Sequence, residues 1–425
     1  MALDTGVYIA VSIFIITYIF IISEKINRTS IALFGATLLI GLRIISQEYA
    51  FDAIDFNTIG LLIGMMVIVS IVKKTGVFQY VAIKAAKSAK GDPFKIILIL
   101  SSITALSSAL LDNVTTVLLI VPVTLVITET LETNPLPFLI PEILAANIGG
   151  TATLIGDPPN IMIGSATNLG FMDFILNLGP IVVIILIVTF FIIKLMYGKS
   201  MNVGEELKDK LMKFDENKSI RDYALLKKSL FVLALTMIGF ITHQYLALES
   251  ATVALIGASL LLIISKLDPE DILLEVEWST IFFFAGLFVL VGGLEKVGVI
   301  EFLASEVLNF TKGNLLLTTL MVLWVSAIAS AFIDNIPFVA TMIPLIKSIG
   351  AMSSIAIGPL WWALALGACL GGNGSLVGAS ANVIVAGFLQ KTDHKLTFIR
   401  FLKVGFPIMI VSVILSSIYL VLFYV

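Results

Sequence analysis

A shift of 222 positions lays the second half of this 425-residue chain over the first through its least common residues. Asp112-Asn113 falls on Asp334-Asn335, Pro122 on Pro344, Gly149-Gly150 on Gly371-Gly372, Gly156 on Gly378 and Asn160 on Asn382. Glu48/Glu270, Thr58/Thr280, Lys74/Lys296, Gly76/Gly298 and Lys90/Lys312 keep the same offset, and no gap is needed from about residue 48 to 165. Duplicated apolar segments that Gly and Pro interrupt at matching places are the sequence mark of a secondary transporter.

Hydrophobic residues make up 59% of the chain and charged ones 13%, against roughly 45–50% and about 25% in soluble domains. Apolar runs long enough to cross a bilayer lie near 6–23, 29–46, 57–73, 178–197, 229–247, 250–266, 278–294 and 404–425, with interrupted ones at 138–165 and 360–388. The first run carries Asp4 and neither a basic flank nor a cleavage site, so it reads as a retained helix. With ten crossings and the amino terminus outside, 22 of the 26 Lys and Arg fall on the inner side; Arg43, Lys296, Lys312 and Lys347 remain outside. Each repeat then crosses five times, so the halves are inverted and both termini lie outside the cell membrane. One cysteine, Cys369, excludes an internal disulfide and a multi-thiolate metal site.

The expected fold is therefore all-α and polytopic: a first repeat over 1–197, a polar cytoplasmic linker over 198–228 and a second repeat over 229–425. Gly76 to Lys90, with lysines at 84, 87 and 90, reads as an amphipathic helix on the membrane surface, repeated at Gly298 to Lys312. The segments 94–128 and 314–350 are about twice the length of one crossing and polar at their midpoints, which predicts re-entrant hairpins, the first from inside and the second from outside. His243 and His394 read as solvated, and Trp278, Trp324, Trp361 and Trp362 as interface anchors or lipid-facing bulk.

Four polar breaks interrupt the apolar sequence. They are Asp112-Asn113 with Thr115 and Thr116; Asn147 to Asn160 with Gly149, Gly150, Thr151, Thr153 and Asp157; Asp334-Asn335; and Gly371 to Asn382 with Gly372, Asn373 and Ser375. In hydrocarbon such breaks persist only where they line a polar site or pack inside protein, so these residues form the candidate substrate and ion site. Small residues in membrane helices also serve close packing.

Asp112, Asp334 and Asp157 are the candidate coupling residues, since a charge at mid-membrane is costly and marks an ion path. Asp112 and Asp334 are equivalent, whereas Asp157 is matched by Ala379. No Lys or Arg lies in any break, so protons, metal cations, amides or water are expected to neutralise the acids. Asp112 and Asp334 are also placed to cap the second hairpin helices through the amides of Thr115 or Phe338.

Leu111-Asp112-Asn113-Val114-Thr115-Thr116, Asn147-Ile148-Gly149-Gly150 running to Gly156-Asp157-Pro158-Pro159-Asn160, and Asp334-Asn335-Ile336-Pro337-Phe338 resemble the ion transporter superfamily. The likeness is to its branch of arsenite-efflux permeases, NhaD-type sodium/proton antiporters and the melanosomal P-protein. The resemblance implies a scaffold domain that dimerises and a transport domain of hairpins and broken helices moving as an elevator. The carboxylate/sodium members carry Ser-Asn-Thr at the tips; here aspartate precedes each asparagine, and Val114 and Ile336 replace the threonine.

The expected function is proton- or sodium-coupled transport of a small inorganic ion, arsenite or antimonite efflux or sodium/proton exchange, with carboxylate/anion transport as the alternative. No catalytic residue, resident metal or cofactor is expected beyond the transported and coupling ions. ATP could enter only through a separate subunit, and no nucleic-acid partner is expected. An intramembrane aspartyl protease using Asp112 and Asp334 is a rival from another class.

Overall fold

The computed structural model describes residues 5–23, 25–198, 203–390 and 393–425; Asp4 and Lys391 lie outside them. The described residues contain helices and no strands. The first repeat comprises α1 (Thr5–Ser23), α2 (Arg28–Gly41), α3 (Gln47–Asp52), α4 (Phe56–Lys74), α5 (Val77–Ser88), α6 (Pro93–Leu110), α7 (Asn113–Thr130), α8 (Leu136–Gly150), α9 (Pro158–Ala166) and α10 (Phe171–Tyr197). The polar linker forms α11 (Glu205–Met212) and a 3-10 turn. The second repeat comprises α12 (Tyr223–Thr242), α13 (Ser250–Ser265), α14 (Pro269–Leu273), α15 (Trp278–Lys296), α16 (Val299–Thr311), α17 (Leu315–Phe332), α18 (Asn335–Met352), α19 (Gly358–Gly371), α20 (Ser380–Leu389) and α21 (Phe398–Phe423).

From α2 and α13 through α9 and α20, eight successive helix pairs start 222 residues apart, as Arg28 and Ser250 do. The halves interlock instead of folding separately. Helix α4 packs on α13 and α15 on α2. A Cβ on Gly64 would sit 2.7 Å from the Ala254 carbonyl carbon, and one on Gly286 would sit 2.9 Å from that of Ala32. Those two contacts are one contact with the repeats exchanged, the relation of a pseudo-two-fold axis. Small residues let the backbones close where lipid supplies no hydrophobic drive.

Ten helices among the described residues are long and apolar enough to cross a membrane, but they are not the ten expected crossings. Six coincide; the other four are the hairpin arms α6, α7, α17 and α18, each 18 residues long. The span expected over 29–46 is helical only to Gly41, because the chain turns at Arg43, whose φ is +58°. Exposed apolar side chains such as Ile187 and Phe191 on α10 and Phe231 on α12 form the lipid-facing surface.

Helices α8 and α19 occupy the centre, buried from Phe138 to Gly150 and from Pro359 to Gly371. Trp361 and Trp362 are therefore interior residues, 5% exposed each, with Trp362 edge-on to the Phe174 ring. His243 is likewise not solvated: the chain after α12 folds back so that its Nδ1 bonds the Leu248 carbonyl oxygen at 2.9 Å.

Candidate functional site

The expected breaks are real. Helix α8 stops at Gly150 and α9 starts at Pro158; α19 stops at Gly371 and α20 starts at Ser380. In each unwound stretch an asparagine from the following half-helix collects the freed carbonyls. Asn160 Nδ2 donates to Thr151 and Thr153 oxygens at 3.0 and 2.8 Å, and Asn382 Nδ2 to Gly372 and Ser375 oxygens at 2.7 and 2.9 Å. These bonds satisfy backbone that hydrocarbon could not.

The other ends of the same amides build a buried core. Asn113 at the first hairpin tip donates to Asn147 Oδ1 at 3.1 Å, and Asn147 Nδ2 donates to Asn373 Oδ1 and Asn382 Oδ1, both at 2.9 Å. Thus one hairpin and both broken helices meet at Asn147, which is fully buried. Across the pseudo-axis, Cys369 Sγ donates to Asn160 Oδ1 at 3.6 Å and lies against Asp157 and Thr151.

Three aspartates approach this core, and local sequence decides what each can do. Asp112 caps α7: Oδ1 accepts from the Thr115 amide at 2.7 Å and Oδ2 from the Thr115 hydroxyl. Asp334 caps α18 through the Ile336 amide at 3.1 Å, two residues earlier than the expected Phe338. Asp157 occupies the N-cap of α9 but caps nothing. Its first two helical residues are Pro158 and Pro159, which have no N–H to offer. The third, Asn160, spends its amide on the Asp157 carbonyl at 2.9 Å, and the carboxylate instead accepts from Asn335 at the second hairpin tip at 3.3 Å, while Oδ2 is buried without a hydrogen bond. Asp157 is 1% exposed and within electrostatic reach of both Asp334 and Asp112.

The expectation that only protons, metal cations, amides or water neutralise these acids is corrected at Asp334. Arg28, from outside every break, places Nη1 2.8 Å from Asp334 Oδ2. A proton-sharing dyad of Asp112 and Asp334 is not formed, since Thr115 holds one acid and Ile336, Arg28 and Ser380 hold the other.

Several candidates are engaged in structure. Thr151 donates to the Asn147 carbonyl and Thr153 to that of Ala109. Ser375 Oγ accepts from the Val377 amide. Gly149 and Gly371 press on the backbones of Ala105 and Ala327, Gly150 on that of Gly156 and Gly372 on that of Gly378. Thr116 is buried with its hydroxyl unpartnered.

Sequence reasoning missed Glu142. It lies inside α8, 1% exposed, with Oε1 accepting from Thr124 at 2.8 Å and Oε2 unpartnered. A glutamate within the interrupted span 138–165 was the available signal. It also missed a cavity of about 570 Å³ lined by Lys73, Lys74, Arg221, Glu275 and Glu277 together with Thr115.

A family model described as "Citrate transporter" (CitMHS) matches residues 18–367. An uncharacterized transporter of Mycobacterium tuberculosis is 44% identical over 422 residues, covering 98% of both chains. The 46 kDa membrane protein of Mycobacterium leprae is 45% identical over 424 residues, with the same coverage. The human P protein is 34% identical over 508 aligned positions, which take in all of this chain and 61% of the P protein. The crystal structure of the Alcanivorax borkumensis YdaH transporter has the same fold, with TM-score 0.61 and 12% identity over 98% of each chain. A duplicated bundle of apolar helices, broken and acid-bearing at its centre, is thus matched over nearly its whole length, and the chain belongs to the citrate transporter (CitMHS) family of the ion transporter superfamily, as a multi-pass membrane transporter of the CitMHS and P-protein type.

Proposed function

We propose that this protein is a cation-coupled secondary transporter in which a proton or a sodium ion occupies Asp157. One observation carries the reading: a carboxylate 1% exposed, denied the first two amides of its helix by two prolines and the third by its own carbonyl, keeps one oxygen without a hydrogen bond beside an amide core. A buried charge in that state needs a proton or a small cation. Amides and acids together suit a small inorganic substrate, as sodium exchanged for protons or as arsenite expelled. The hairpins and broken helices move together against the group formed by α1, α2, α4, α12, α13 and α15, as an elevator, in a homodimer of the cell membrane.

A second reading, carboxylate transport, draws support from the family description and from Lys73 and Arg221, which line one cavity with Thr115, while Lys74 there is paired with Glu275 at 3.0 Å. Vesicles holding the purified protein and a pH-sensitive dye decide between them when challenged in turn with sodium, lithium, arsenite and citrate. A pH change on sodium, lithium or arsenite supports the first reading. Citrate uptake with no response to the others supports the second, and silence with all four overturns both.

A further inference from the structure

Asp334 holds a fixed cation that its repeat twin lacks. Arg28 Nη1 donates to Asp334 Oδ2 at 2.8 Å and to Ser380 Oγ at 3.0 Å, while Ser380 donates to the same carboxylate oxygen at 3.0 Å. The guanidinium lies over the Phe283 ring, 5.1 Å from its centroid. One side chain thus ties the start of α2 and the face of α15 to the second hairpin tip and to the half-helix α20. The position equivalent to Arg28 is Ser250, and Asp112 bonds Thr115 instead.

The contact is built to open. Arg28 is 33% and Asp334 16% exposed in the side chain, and both line a cavity of about 350 Å³ that also reaches Asn27 and Ser380. The pair opens on that cavity and is not sealed in the core, and a long arginine stem can carry its head to water. Glu277, at the start of α15, lies within electrostatic reach of Arg28 and accepts from the Thr280 hydroxyl at 3.1 Å.

We infer that Asp334 offers the coupling cation a second position beside the one at Asp157, and that Arg28 is a built-in surrogate cation, occupying Asp334 while that position is empty and releasing it when a cation binds there. The inference rests on the cation-coupled reading above. Its physical content is competition: if the carboxylate is free only in a fraction of molecules, the apparent dissociation constant is the intrinsic one divided by that fraction. The same bond holds the hairpin to α2 in the empty protein, so ion binding and release of the hairpin become one event.

The test is transport in vesicles by Arg28→Gln, driven by whichever of protons, sodium or lithium drives the wild type. The half-saturating cation concentration is expected to fall about tenfold, with the maximal rate changed far less. Arg28→Lys, which keeps the charge but loses the planar guanidinium that lies over Phe283, is expected to give an intermediate fall and serves if Arg28→Gln folds poorly. Lys210→Gln, on the exposed pair with Glu206, is the control and should leave the value unchanged. An unchanged or raised half-saturation in the Arg28 variants, with a lower maximal rate, would mean a structural role only and overturn the inference. A wild type driven by no cation would overturn the coupled reading itself, a separate result.

Discussion

Asn147 and Cys369 occupy equivalent positions, and the exchange of amide for thiol between them is what sends Asn335 to Asp157. Asn147 accepts from the first hairpin tip through Asn113 at 3.1 Å. Were the repeats identical, Asn335 at the second tip would bond residue 369 in the same way. A thiol is a weak acceptor, and the Asn335 amide instead reaches Asp157 Oδ1 at 3.3 Å. A position where the duplicated core differs chemically is thus coupled to an acid without a repeat partner.

Asn147→Ala should cost roughly 2–3 kcal/mol, since it strands Asn113, Asn373 and Asn382 in a buried site. Cys369→Ser should cost under about 1 kcal/mol, because the hydroxyl donates to Asn160 at least as well. Denaturation of the purified proteins in matched detergent measures both, and equal costs would refute the central role of Asn147.

Asp157→Asn should leave folding intact and abolish coupled transport, because the side chain caps no helix. Pro159→Ala tests the same geometry from the other side. It restores an amide at the second position of α9, where an N-cap carboxylate bonds, so stability should hold or rise while the transport rate drops severalfold. A Pro159→Ala variant with wild-type rate would show that the prolines do not keep Asp157 free.

Glu142→Gln should hold or raise stability, since an amide of the same shape keeps the Thr124 bond without a charge. Glu142→Ala should cost about 2 kcal/mol through a cavity and an unpaired hydroxyl. A greater loss in the Gln variant than in Ala, by thermal unfolding, would contradict this.

The linker is docked on α5 by Lys87, which donates to Glu216 Oε2 at 2.6 Å and to the Phe214 carbonyl at 2.9 Å. The Lys87 hydrogen bond holds the Glu216 carboxyl below the usual glutamate range. A carboxyl lowered on docking contributes above its undocked value and loses that contribution as pH falls through its docked one. Hydrogen exchange over 203–221 should therefore quicken, relative to the intrinsic rate, as pH drops below the ordinary glutamate range. Lys87→Gln should remove that pH response.

Much of this architecture was legible because lipid forces backbone bonding to be local. The hairpin arms α6 and α7 are marked by apolar length on either side of Asp112, and the ends of α8 and α9 by Gly149-Gly150 and Pro158-Pro159. Their counterparts follow from the repeat. Membership of the ten long helices was less legible: apolar composition is common to hairpin arms and full crossings, and only helix length separates α2 from α6.

By itself the sequence determined that the protein is a duplicated membrane bundle with four polar breaks and three acids among them, because spans, breaks and caps depend on residues within a turn or two of each other. Tertiary structure alone decided which acids are satisfied. Arg28 reaches Asp334 across 306 positions and Asn147 reaches Asn382 across 235. No local pattern encodes such meetings; they exist because interlocked repeats carry distant residues to one point, where burial leaves each polar group only the partners the packing supplies.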